Sequence, residues 1–207
     1  GLLSRFPSLD PGRISLVFAG PSEQDPPPNI PDGRTILSIG TLCPRKNQLH
    51  LIQAYASLPQ ELRARTRLIL AGGRGWHDQE IVDTARSTPG VEWLGYVSDD
   101  HYRTLLSTCE IFAFPSLEEG FGLPVLDAIQ RGTLVLTSTR GGLKEVAGTA
   151  AVSVDPEDTQ AILRGLETLL NDQPLRERLR AAGPVQARQF SWKHSVDLFI
   201  NAVQPLL

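Results

Sequence analysis

Residues 111–148 read IFAFPSLEEGFGLPVLDAIQRGTLVLTSTRGGLKEVAG. The apolar run Ile111–Phe114 has strand character and stops at Pro115. A glycine-flanked turn, Glu119-Gly120-Phe121-Gly122, follows it. Leu123-Pro124 then opens a helix whose Val125, Leu126, Ala128 and Ile129 suit a buried side, and Gly132 ends it. A second apolar run, 134–137, predicts the next strand. The stretch is one βαβ unit with a glycine-rich elbow at the carboxyl end of its first strand.

That elbow suits an anion. Gly120 and Gly122 lack a Cβ, so the backbone can turn sharply and approach a ligand closely. Pro124 suits the first helical position, where its missing N–H costs nothing. The free N–H groups of the helix start, with the positive end of the dipole behind them, face the crevice where open α/β sheets bind ligands. Glu119 enters the turn and Asp127 lies eight residues on. A carboxylate beside a phosphate is repelled unless it meets hydroxyl donors. A phosphate-bearing, hydroxyl-rich ligand fits this pattern, and so does a strand–turn–helix that uses Gly and Pro for geometry alone.

Upstream, the run 35–39 predicts the first strand of the main sheet, and Gly40-Thr41-Leu42-Cys43-Pro44-Arg45-Lys46-Asn47 follows at its carboxyl end. Arg can grip a phosphate with two parallel N–H bonds, and Lys acts as a point charge. Two cations at a helix start oppose its dipole, which favours a ligand role over a solvated pair. Further strands are predicted at 67–71 and 91–94, with a short last one at 151–154. Gly72-Gly73 ends the second of these and Gly95-Tyr96-Val97-Ser98 the third, with Ser98 as a helix cap. Glycines there suit a tight turn or a close ligand. Asp99-Asp100 reads as the first turn of a helix rather than a metal pair. Glu145 reads as an exposed helix charge rather than a site residue. Helices are predicted from 48, over 78–86, and over 156–171, 174–188 and 192–203.

Strands alternating with helices predict an α/β fold, a doubly wound Rossmann-like parallel sheet covered on both faces. In that order the crevice opens between the first and fourth strands of the main sheet. The loops at 40–47 and 119–124 follow those two strands, so two motifs far apart in sequence converge on one crevice. Residues 1–34 hold one apolar run, 14–18, read as a strand, and then a connector with a Pro26-Pro27-Pro28 triplet. Residues 35–207 are read as the ligand-binding domain.

Pro115-Ser116-x-x-Glu119-Gly120-Phe121-Gly122-Leu123-Pro124 resembles the signature of retaining GT-B glycosyltransferases of group 1, the large family-four class. The Arg45-Lys46 segment resembles that family's basic motif after its first strand. The resemblance runs from about residue 35 to the end. It implies the carboxyl-terminal, donor-binding half of such an enzyme, with an amino-terminal acceptor domain missing. It assigns Glu119, Arg45 and Lys46 to catalysis: the two cations on the donor diphosphate and Glu119 on sugar hydroxyls. Gly40, Gly72, Val97, Gly120, Phe121, Gly122 and Leu123 are implied as donor contacts, largely through their backbone. The family's second acidic residue, E-x7-E, falls on Asp127 and implies a ribose contact; here it is Asp, one methylene shorter. The substrate implied is a nucleotide sugar on UDP or GDP, with no metal and no other cofactor. The isolated chain is then expected to bind donor without transferring it. Two rivals keep the same scaffold: an epimerase acting on sugar nucleotides, and a binding module without catalysis. A dinucleotide oxidoreductase fits less well, because no G-x-G-x-x-G follows the first strand.

Composition narrows the setting. The 207 residues are 41% hydrophobic and 21% charged with a net charge of −3, ordinary for a soluble α/β protein and without the basic stripe of a nucleic-acid binder. Two cysteines, Cys43 and Cys109, and four scattered histidines give no metal spacing. A reducing, cytoplasmic setting is expected, with no apolar run long enough to span a membrane. Any peripheral membrane contact would come through the missing domain. Methionine is absent, even at position 1, which suits an excised segment.

Overall fold

The computed structural model describes residues 6–8 and 10–204. Residues 1–5 and 9 of the expected connector, and 205–207 of the expected domain, lie outside that range. Six strands form one sheet: β1 (Thr35–Ile39), β2 (Arg67–Ala71), β3 (Val91–Gly95), β4 (Ile111–Phe114), β5 (Leu134–Ser138) and β6 (Val152–Val154). Their order is β3-β2-β1-β4-β5-β6, and every pairing is parallel. Thr35 lies opposite Arg67 at the start of β1 and β2, and Ile36 opposite Ile111 between β1 and β4.

Nine helices are described: α1 (Gln48–Ala56), α2 (Gln60–Arg65), α3 (Gln79–Ser87), α4 (Asp99–Thr108), α5 (Leu123–Gln130), α6 (Gly142–Ala147), α7 (Thr159–Asn171), α8 (Gln173–Ala187) and α9 (Trp192–Val203). Side chains alternate along each strand between two cores, as the period of two requires. Ile36, Leu68, Leu70, Ile111, Ala113, Leu134 and Leu136 join Leu51, Ile52 and Tyr55 of α1 and Ile162, Leu166 and Leu169 of α7. Leu37, Ile69, Phe112, Phe114 and Val135 join Leu106 of α4, Val125, Leu126 and Ile129 of α5, and Leu143 of α6. The helix after β1 thus covers one face and the helix after β4 the other. Between these adjacent strands the chain diverges to both sides, which opens the crevice at their carboxyl ends.

One sequence expectation changes. The run 14–18 forms no strand: it pairs with neither edge of the sheet, β3 or β6, and Leu16 is 70% exposed. The connector is irregular as expected, and its backbone is bonded along the helices. Asn29 donates its N–H to Arg131 O, Ile30 to Ser107 O and Asp32 to Thr108 O, each at 2.8 Å. Asn29 Nδ2 also donates to Leu106 O (3.2 Å) and Cys109 O (3.0 Å). Finally, α2 goes unforeseen, a six-residue helix between Pro59 and Thr66 that buries only Leu62.

Elsewhere the ends of helices follow their capping residues. Asp158 accepts from Gln160 N and Ala161 N and starts α7 at Thr159, three residues after the expected Pro156. Ser98 caps α4 through His101 N as expected. Pro184 lies inside α8, which presses so closely on α5 that a Cβ on Gly183 would lie 2.4 Å from Ile129 O.

Candidate functional site

The loop after β1 is held open by its own backbone. Pro44–Lys46 is a single tight 3-10 turn, closed by Asn47 in the left-handed conformation at φ 62°, which Asn tolerates better than most side chains. From there Asn47 Nδ2 donates to Pro115 O (2.9 Å) and Pro156 O (2.7 Å). One buried amide therefore ties the basic loop to the loops after β4 and β6. The sequence places Asn47 only as part of the loop; an Asn directly before a helical pattern, a common cap position, was the available signal. Leu117 N donates to Arg45 O at 2.9 Å and joins the same loops from the other side.

The glycines around this loop are required by contact. Gly72 packs against Gly40 so tightly that a Cβ would lie 2.0 Å from Gly40 O. Gly40 has φ 135°, and a Cβ there would lie 3.1 Å from Lys46 Cε. Gly40 thus leaves the space in which the Lys46 stem lies.

The cations converge on one carboxylate. Arg45 Nη1 is 2.7 Å from Glu119 Oε1 and Lys46 Nζ is 2.6 Å from it. Arg45 Nη1 also donates to Glu118 O at 2.9 Å, and Lys46 Nζ sits 4.4 Å above the Phe114 ring, a cation–π contact. The Lys46 and Glu119 side chains are 15% and 13% exposed, and that of Arg45 is 41% exposed. Burial pushes the Glu119 carboxyl up, but the hydrogen bonds and charges of Lys46 and Arg45 outweigh it and hold the group below the usual carboxylate range. Two positive charges meet one negative, so the cluster keeps an excess positive charge beside a solvent-facing guanidinium. That is the electrostatic setting for an anion.

The elbow continues directly from Glu119. Gly122 has φ 100°, and a Cβ there would meet Leu143 Cδ2 at 2.4 Å. Leu123 is the first helical residue of α5 and Pro124 the second, one place later than expected. The N–H groups of Gly120, Phe121, Gly122 and Leu123 donate to no acceptor among the described residues. Gly142 N donates to Glu119 O at 3.2 Å, and a Cβ on Gly142 would lie 2.3 Å from Gly120 O. The start of α6 therefore braces the elbow from behind. Ser116 is fully buried in the same loop and its Oγ has no protein partner.

Gly40, Arg45, Lys46, Gly72 and Glu119 thus lie together at the carboxyl end of the sheet, and the elbow continues from Glu119. Val97 is half-buried and packs, like Leu94 and Phe121, against the core formed with α4, α5 and α6. Glu145 is exposed on α6. Asp127 stands apart: it is 1% exposed, and its two oxygens accept from Ser22 N (2.8 Å) and Tyr102 Oη (2.9 Å). Among the described residues no helix is long and apolar enough to cross a membrane.

This arrangement has counterparts in known proteins. The profile of a family described as "Glycosyl transferases group 1" matches residues 21–186. O-antigen chain mannosyltransferase B of Escherichia coli is 42% identical over 173 residues, which are 82% of this chain and 45% of that protein. The chain therefore spans less than half the length of this relative. Among solved structures, sucrose-phosphate synthase from Thermosynechococcus elongatus superposes with a TM-score of 0.72 at 22% identity, over 84% of this chain and 46% of that one. HepE from Anabaena, solved with UDP and glucose, superposes with a TM-score of 0.66 at 22% identity, over 83% and 48%. These two establish the fold, the GT-B type of Rossmann-like domain. The family match covers both halves of the crevice, the basic loop and the elbow alike, and on that footing the chain belongs to the group 1 glycosyltransferases.

Proposed function

We propose that this chain is the donor-binding half of a retaining glycosyltransferase that moves a hexose from a nucleotide sugar. The observation that carries the proposal is the Arg45–Lys46–Glu119 cluster beside an elbow whose N–H groups have no acceptor among the described residues. A diphosphate fits between them: the cations take its charge and the backbone donors its oxygens. Glu119, drawn off the cations by the arriving anion, is placed to accept from sugar hydroxyls. As the bond to the sugar breaks, negative charge grows on the leaving diphosphate. Arg45 and Lys46 stabilise that charge with no metal required. Retention of configuration rests on the resemblance of the elbow to the retaining family.

Mannose is the sugar favoured, because the relative at 42% identity is named a mannosyltransferase. An extracellular or cell-surface polysaccharide is the corresponding class of product. UDP or GDP carries the sugar, bound by a protein that needs no other cofactor. Acceptor binding falls to the part of such proteins that this chain does not align with, so this chain alone binds donor without transferring it. Calorimetric titration with GDP-mannose, UDP-glucose and ADP-glucose tests the proposal. The expected result is saturable binding of one of the three and no transfer to added saccharide acceptors. Binding of none of them, with the protein folded, would contradict it.

A further inference from the structure

Glu119 stands where an anionic ligand would stand. Its Oε1 alone lies 2.7 Å from Arg45 Nη1 and 2.6 Å from Lys46 Nζ, so both cations are engaged by one atom. Among the described residues neither cation has a second carboxylate. Arg45 has in addition only a backbone carbonyl, Glu118 O at 2.9 Å, and Lys46 the face of the Phe114 ring at 4.4 Å. The cluster is largely out of water, with the Glu119 side chain 13% and that of Lys46 15% exposed. The Glu119 main chain is braced from behind: Gly142 N donates to Glu119 O at 3.2 Å, and a Cβ on Gly141 would lie 2.7 Å from that oxygen. The carboxylate, and not the backbone that carries it, is therefore the part that an arriving anion can move.

We propose that Glu119 is a built-in competitor of the donor diphosphate, and that this competition makes the site select a nucleotide sugar over the free nucleotide. This rests on the donor-binding function proposed above. A diphosphate that takes Arg45 and Lys46 must break two short contacts to one carboxylate. The two cations hold that carboxyl below the usual carboxylate range, so the competing group is charged at neutral pH. A carboxylate shielded from water that has lost its cations is costly unless new donors reach it. An ionised carboxylate only accepts hydrogen bonds. A sugar on the diphosphate brings hydroxyl donors to it, whereas a nucleoside diphosphate without the sugar brings none from that side. The free nucleotide is therefore the weaker ligand. Once the sugar has been transferred, Glu119 loses its hydroxyl partners, returns to Arg45 and Lys46, and displaces the product.

Calorimetric titration of wild type and Glu119→Gln with inorganic diphosphate, with UDP and GDP, and with UDP-glucose and GDP-mannose tests this. Glu119→Gln is expected to bind inorganic diphosphate and the preferred nucleoside diphosphate roughly tenfold more tightly than wild type, because about one charge-assisted bond no longer has to be broken. The nucleotide sugar is expected to gain nothing, so its advantage over the free nucleotide narrows by about the same factor. An equal gain for all ligands would overturn the proposal, because net charge alone would then account for it. No gain for inorganic diphosphate and the free nucleotide would overturn it as well. A second readout needs no variant: the carboxyl carbon resonance of Glu119 in labelled wild type is expected to move as inorganic diphosphate saturates the site. That resonance staying fixed while the amides of Arg45 and Lys46 shift would overturn the proposal, since the carboxylate would have kept its cations. Failure of wild type to bind any nucleotide or nucleotide sugar would refute the donor-binding function instead, and the inorganic diphosphate titrations would still decide the competition.

Discussion

The two ends of β4 carry the same charge count in different settings. At the amino end, Glu110 is approached by Arg176 and by Arg180, the latter at 3.0 Å. At the carboxyl end, Glu119 is approached by Arg45 and Lys46 at 2.7 and 2.6 Å. Each is one carboxylate with two cations. Glu110, however, has its side chain 3% exposed, and its cations stand four apart on the regular helix α8, where Arg180 also donates to Asn29 Oδ1 and Gly132 O. Arg176 Nη1 also donates to Leu170 O (3.4 Å), so the cluster holds α8 and the connector to the sheet. At the other end the cations stand on an irregular turn, the surrounding backbone is glycine, and Arg45 faces solvent. Charge count does not separate the structural cluster from the proposed binding one; the backbone that presents the charges and the access left to them do.

The largest expected effect lies at the amino end. Glu110→Gln leaves two arginines beside the core without their counter-charge, and should cost about 2–3 kcal/mol in urea unfolding, below the full range for a buried pair because both arginines are partly exposed. Nucleotide affinity of the folded fraction should be unchanged. Arg45→Ala should do the opposite. It should weaken nucleotide-sugar binding by about 10- to 100-fold, the loss of one or two charge-assisted bonds, with little change in Tm. If both variants lose stability equally and affinity equally, the distinction between the two ends fails.

A smaller effect sharpens the comparison through pH. The Glu119 carboxyl is held below its unfolded value, so its ion pairs contribute stability that is complete above the ordinary Glu range, near 4.3, and lost as pH falls through the lower folded value. The gap in Tm between wild type and Glu119→Gln should therefore be constant near neutrality and shrink on acidification below about pH 4. A gap that instead widens as pH falls would show that the cations do not hold the carboxylate. Smallest of all is Arg140→Ala. Its contacts to Asp155 (3.2 Å) and Glu157 (2.5 Å) are open to solvent, where ion pairs contribute little, and its Tm should be indistinguishable from wild type.

Much of this was legible in the sequence because it is written locally. Apolar runs bounded by Gly and Pro located all six strands of the sheet, and their alternation with helices gave the parallel order. Arg45, Lys46, Glu119 and the elbow were legible because the two motifs follow adjacent strands, so the fold itself brings them together. What was hidden depends on long-range partners. The strand expected at 14–18 failed because apolar content alone does not pair a run with a sheet edge. The bonds of Asp127 to Ser22 and Tyr102 span 105 and 25 positions, and no local pattern encodes either. Asn47 was visible as a loop residue, but its hold on Pro156 crosses 109 positions.

The most direct test of the central claim, that the carboxyl end of β4 is the anion site and the amino end is not, is an amide NMR titration of the isotopically labelled chain with UDP and with GDP. The expected result is saturable shifts at Gly40, Arg45, Lys46 and residues 120–123, with Glu110, Arg176 and Arg180 unmoved. Shifts centred on Glu110 and α8, or spread without saturation over the surface, would contradict it.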